Sequence, residues 1–216
     1  MATPNRCPRV ALITRPDPRP SCRPALDFFR SATQCMTSTK TIMNKPRLLL
    51  LTGMILAAAL SRLIPHPPNF SPVAALALFG GATIASKRLA FVLPLAAMFL
   101  SDLILGFSTL TPVIYGCFAL IVCLGFWVKR KQNVGRIGLA AVAGAILFFV
   151  VTNFGVWALG SYYQKNGAGL AECFTAAIPF FWNTLMSDLF YAAILFGALH
   201  AAEWRWAVLR PTPAIR

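Results

Sequence analysis

The sequence predicts an all-α integral membrane protein with six transmembrane helices, cytoplasmic N- and C-termini and a disordered basic N-terminal tail. Three observations carry that prediction. Of 216 residues, 57% are hydrophobic and only 12% are charged, against roughly 25% charged in soluble domains, which argues against a soluble globule. The charges leave long stretches free, among them 66–86, 103–128 and 137–164, and each can hold a membrane span of about 20 residues. The basic residues gather in the short segments between apolar runs, where they act as topology signals. A net charge of +14 and a pI near 10.4 would also suit nucleic acid. No basic stripe with interleaved aromatics occurs outside the N-terminal tail, however, so no nucleic-acid partner is expected.

Residues 1–45 are rich in Pro, Arg, Ser and Thr and, apart from 10–13, lack apolar periodicity. Such a segment has nothing to offset its ordering entropy and is expected to be disordered. Met36 and Met43 are alternative starts, and Met43 stands directly before the basic lead Asn44-Lys45-Pro46-Arg47. The tail then reads as an upstream extension. A targeting peptide cleaved near Ala57-Ala58-Ala59 is the competing reading, weakened because the apolar run continues to Leu63 and Ile64.

Six spans are expected over 46–64, 72–86, 89–107, 111–128, 137–159 and 176–203, forming one membrane domain (46–203) followed by a short basic tail (204–216). The second span is short, and Ser71-Pro72 marks its start, because Pro fits a first helical turn, where its missing N–H costs nothing. Nine of the 20 Lys and Arg lie within 1–47, and Lys87, Arg88, Lys129, Arg130, Lys131, Arg136, Arg205, Arg210 and Arg216 fall on the same side of the six spans. Only Arg62 and Lys165 fall on the other. By the positive-inside rule both termini are cytoplasmic, in a multi-pass protein of the plasma membrane with the lipid bilayer as its first partner. Cys117 and Cys123 lie in an apolar span and Cys173 in a later loop, with no CxxC pair, so neither a disulfide framework nor a metal site is expected.

The polar residues within the spans fall into one leaflet under this topology. Asp102, Asn153, Asn183 and Asp188 all lie in the outer half, beneath the outer loop Pro65-His66-Pro67-Pro68-Asn69-Phe70-Ser71-Pro72, whose four prolines have fixed φ. That loop resembles a lid or plug, which brings His66 and Asn69 to the same site. A charged Asp at helix centre costs on the order of 2.5 to 3.5 kcal/mol on insertion scales, so Asp102 and Asp188 should face the bundle interior, a cavity or a partner. One of them could instead pair with Arg62. Asn153 and Trp157 share a helical face, as do Asn183 and Ser187. With Trp182 they offer flat apolar walls beside amide and carboxylate groups, which suits a small polar or heteroaromatic substrate. Ser101-Asp102-Leu103 and Ser187-Asp188-Leu189 form an identical tripeptide, a hint of internal duplication.

No GxSxG, HExxH or Walker A motif occurs, so no enzyme activity, catalytic residue or cofactor is expected. The segments Arg62-Leu63-Ile64-Pro65-His66-Pro67-Pro68-Asn69-Phe70-Ser71-Pro72, Phe99-Leu100-Ser101-Asp102, Thr152-Asn153-Phe154-Gly155-Val156-Trp157 and Pro179-Phe180-Phe181-Trp182-Asn183-Thr184-Leu185-Met186-Ser187-Asp188 resemble the DUF6580 family of small bacterial integral membrane proteins. That family implies no particular activity. More distantly, the architecture is similar to the S components of energy-coupling-factor (ECF) transporters, which implies an outward-facing substrate site capped by the first outer loop. It also implies a transmembrane coupling subunit and ATPases as partners. Gly53, Ala57 and Ser61 match the small-residue spacing by which those components dock, a spacing that ordinary close helix packing also uses. The expected function is a transport subunit for a small molecule, with a proton- or cation-coupled carrier or a membrane assembly protein as the alternatives.

Overall fold

The computed structural model describes residues 44–65 and 67–210. The tail expected to be disordered, up to residue 43, and the candidate residue His66 lie outside the described residues. Helix α1, Lys45–Leu60, continues as a 3₁₀ turn over Ser61–Leu63. Helices α2 (Val73–Thr83), α3 (Lys87–Leu105), α4 (Thr111–Lys129), α5 (Val134–Leu159) and α6 (Gly167–Arg205) follow, then a 3₁₀ turn over Ala207–Leu209. No strand occurs among the described residues.

Five of these helices, α1 with its 3₁₀ extension and α3 to α6, are long and apolar enough to cross a membrane. Large side chains such as Leu49, Ile104, Leu139 and Phe154 are exposed on them, as lipid-facing surfaces require. The chain is a membrane protein. Its second apolar segment departs from the expected span: α2 has 11 residues and rises about 16 Å, half of a bilayer core about 30 Å thick.

Helix α2 is instead the centre of the bundle, with all of its residues buried. Its run Val-Ala-Ala-Leu-Ala-Leu-Phe-Gly-Gly-Ala-Thr is apolar on every face, the pattern of a helix surrounded by others. Glycines let its neighbours approach: a Cβ on Gly81 would stand 2.2 Å from the Val122 carbonyl oxygen, and one on Gly125 would stand 2.5 Å from that of Leu78. A buried helix end must also satisfy its orphan carbonyls. Gln132 Nε2 donates to Ala82 O at 2.7 Å, and Lys129 Nζ donates to the Ile84 and Ala85 carbonyls.

Side-chain caps set two boundaries earlier than expected. Asn133 accepts from the Arg136 amide at 2.7 Å and starts α5 at Val134, while Asn166 accepts from the Gly169 amide at 2.8 Å and starts α6 at Gly167. Cys173, expected in a loop, therefore lies buried within α6. At the other end of α6, Arg47 of α1 pairs with Glu203 at 2.8 Å and donates to Leu209 O at 2.8 Å. Of the segment expected as a short basic tail (204–216), residues 204–205 finish α6 and Leu209 returns to α1. The bundle has two ends, one where α2, α4 and α6 finish around Lys129 and Arg47, the other beneath Asn69.

Candidate functional site

The segment between α1 and α2 is docked onto α6. The Phe70 amide donates to Pro67 O at 3.0 Å, closing a turn in which Asn69 takes φ 60. Asparagine tolerates this left-handed conformation better than most residues. The Phe70 ring packs 6.0 Å from both Phe190 and Tyr191, and Asn183 Nδ2 donates to Pro68 O at 3.0 Å. Asn183 is thereby the anchor of the loop, which holds Asn69 and Ser71 over the core.

The two Ser-Asp-Leu tripeptides begin alike and end differently. Ser101 Oγ donates to Met98 O and Ser187 Oγ to Thr184 O, each at 2.8 Å and each three residues back. Asp102 is then closed off. Arg62 Nη1 meets its Oδ1 at 2.9 Å and Ser101 Oγ at 2.9 Å, and the Tyr115 hydroxyl donates to Oδ2 at 2.9 Å. Asp188 is 2% exposed and its Oδ2 has no hydrogen-bond partner among the described residues. On one side it meets only the apolar packing of Ala74, Leu78, Ile121 and Ala141.

On its other side Asp188 lines a recess of about 60 Å³ with Asn69, Ser71, Ala74, Phe118, Phe148 and Thr184. This recess adjoins a cavity of about 220 Å³, with which it shares Asn69, Phe148 and Thr184. The larger cavity is walled by Phe149, Phe180 and Phe181, by Ile114, Val156 and Ala177, and by Thr152 and Asn153. A broad face of aromatic carbon interrupted by a few oxygen and nitrogen atoms is the composition of a small-molecule pocket.

A family model described as a family of unknown function, DUF6580, matches residues 42–211. The chain belongs to the DUF6580 family. No curated protein and no solved structure matches it.

In this DUF6580 member, three of the sequence-predicted residues meet at the cavities: Asn69, Asn153 and Asp188. Asn183 secures the loop above them. The others are engaged elsewhere. Asp102 is held by Arg62 and Tyr115, and Trp157 donates to Gln164 O at 2.9 Å with Lys165 over its ring. Trp182 is 58% exposed and stands against Phe181, with ring centroids 5.9 Å apart. Gly53 and Ala57 are exposed and Ser61 is half-buried, and a Cβ on Gly53 would meet nothing within 4 Å. Phe148, Phe149, Phe181, Thr152 and Thr184 were not among the expected site residues, although Thr152, Phe181 and Thr184 fall within the segments that carry the family resemblance. The spacing of Thr184 and Asp188, four apart on one helical face, was the available signal. Among the described residues no three His, Cys, Asp or Glu side chains come together as a metal site would need.

Proposed function

We propose that this chain is a membrane transport subunit that binds a small polar or heteroaromatic molecule in the cavity between Asn69, α5 and α6. Asp188 carries the proposal. A buried carboxyl oxygen without a partner is costly in a membrane interior, and such groups mark substrate or ion pathways. Its position beside an aromatic cavity with Asn153 and Thr184 supports a ligand as the missing partner. Because 18 of the 20 basic residues group on one side of the expected topology, the termini are cytoplasmic and the cavity faces outward. Energy enters through a transmembrane partner with ATPases. Uptake that needs no ATPase and collapses with the proton gradient would instead make Asp188 the centre of an ion-coupled carrier.

Native mass spectrometry of the gently extracted full chain tests the proposal. The parent is expected to retain a small molecule that Asp188→Asn loses while melting within a few degrees of the parent. A parent that carries nothing, or a variant that carries the same molecule, overturns it.

A further inference from the structure

The cavity walls present hydrogen-bond acceptors and one acid. Thr152 spends its only O–H on Phe148 O at 2.6 Å, and Thr184 spends its own on Phe180 O at 3.2 Å. Asn153 turns its amide nitrogen to Phe149 O at 2.7 Å, which leaves its carbonyl oxygen as an acceptor and one amide N–H as a donor. Among the described residues lining the two cavities, Asp188 is the one acidic side chain, and no Lys, Arg or His joins it. Of the two cations at the same bundle end, Arg62 is occupied by Asp102, and Lys165 donates to the Trp157 and Gly160 carbonyls. Asn69 and Ser71, from the docked loop, can serve either way.

The remaining wall is aromatic with aliphatic Ala74, Ile114, Val156 and Ala177 between the rings. Phe118 and Phe148 stack with centroids 5.5 Å apart, and Phe149 meets Phe181 edge-on at 5.1 Å. Ring faces carry the negative lobes of the aromatic quadrupole and attract desolvated cations. An anionic ligand would meet the Asp188 carboxyl and hydroxyl and amide acceptors with no cation to pair it, and only the neutral donors of Asn69, Ser71 and Asn153.

Resting on the binding site proposed above, we infer that its ligand is a small organic cation, an ammonium or protonated nitrogen base carrying an apolar or aromatic body. The charged nitrogen meets Asp188, and its N–H groups reach the oxygens of Thr184 and Asn153. The body lies among Phe148, Phe149 and Phe181. A cation that pairs with the buried Asp188 carboxyl gives it a partner that a neutral isostere cannot offer.

Titration calorimetry of the full chain in lipid nanodiscs tests this with three matched probes: 2-phenylethylammonium, the neutral 2-phenylethanol and the anionic 3-phenylpropanoate. The cation is expected to bind at least about tenfold more tightly than the neutral probe, and the anion not to bind. Asp188→Asn should bring the cation and the neutral probe within about threefold of each other. Phe148→Leu should weaken the cation more than the neutral probe, a second readout if Asp188→Asn folds poorly. Absence of cation binding, a neutral or anionic probe that binds as tightly, or a cation preference that survives Asp188→Asn each overturns the inference. In any of those cases a molecule retained by the parent and lost from Asp188→Asn in the mass spectrum leaves the binding site standing and removes only its charge class.

Discussion

Two aspartates in the same tripeptide, with serines bonded back in the same way, have different environments because of what the neighbouring helices bring. Asp102, near the end of α3, receives Arg62 from the turn after α1 and Tyr115 from the first turns of α4. Asp188, mid-way along α6, faces Ala74 and Phe118 and receives neither. The sequence could pose this alternative, one Arg for two Asp, but could not resolve it, because the choice depends on which helix ends share a corner. Removing one member of a buried pair strands the other and costs about 3–5 kcal/mol, whereas exposed pairs are worth about 0–1. With side chains 18% and 10% exposed, the Arg62–Asp102 pair lies nearer the buried case. Asp102→Asn is therefore expected to lose about 2–4 kcal/mol, with part regained on adding Arg62→Gln. Asp188→Asn breaks no pair and should unfold close to the parent. Denaturant unfolding in one detergent compares the three, and equal losses at both aspartates would show that Asp188 has a partner after all.

At the scale of elements, α2 decides how the bundle closes. Glycine is required where α2 crosses α4, since the Gly81 and Gly125 positions each leave no room for a methyl group against a backbone carbonyl. Gly81→Ala is expected to destabilise by about 1–3 kcal/mol or more, the range for overpacking a core that cannot yield. Gly53→Ala, on an open face of α1, should be neutral or slightly stabilising, because alanine is the better helix former. Thermal melts of the two variants check this, and a Gly81→Ala midpoint equal to the parent's would refute the close crossing. The apolar runs made all six helices legible, and of the polar residues they singled out Asn69, Asn153 and Asp188 line the cavities. What stayed hidden was tertiary. Helix α2 reads as a short span because composition does not distinguish a helix wrapped by lipid from one wrapped by helices. The caps at Asn133 and Asn166 moved two starts by local hydrogen bonds that hydropathy does not register. The aromatic cavity wall was invisible because Phe148 and Phe149 of α5 become neighbours of Phe181 and Thr184 of α6 only when the two helices pack.

For the whole molecule, the orientation of the bundle determines what the cavity can do. Lys129 and Gln132 cap α2 at one end, and Arg47 joins Glu203 where α1 starts and α6 finishes; both are ends from which the basic segments extend. The loop that carries Asn69 lies at the other end. If the positive-inside rule holds, Lys131 faces the cytoplasm and Ser161, in the turn between α5 and α6, faces outward. Single cysteines at Lys131→Cys and Ser161→Cys, in a chain whose native cysteines are replaced by Ala, should be labelled by an impermeant maleimide from opposite sides of the membrane. Labelling of Ser161→Cys from outside keeps the docked loop and Asp188 on the side from which a scavenged solute arrives, as an uptake subunit needs. Labelling of Lys131→Cys from outside would turn the cavity toward the cytoplasm. The same carboxylate and aromatic wall would then meet cytoplasmic solutes, and binding for uptake would have to give way to binding for export.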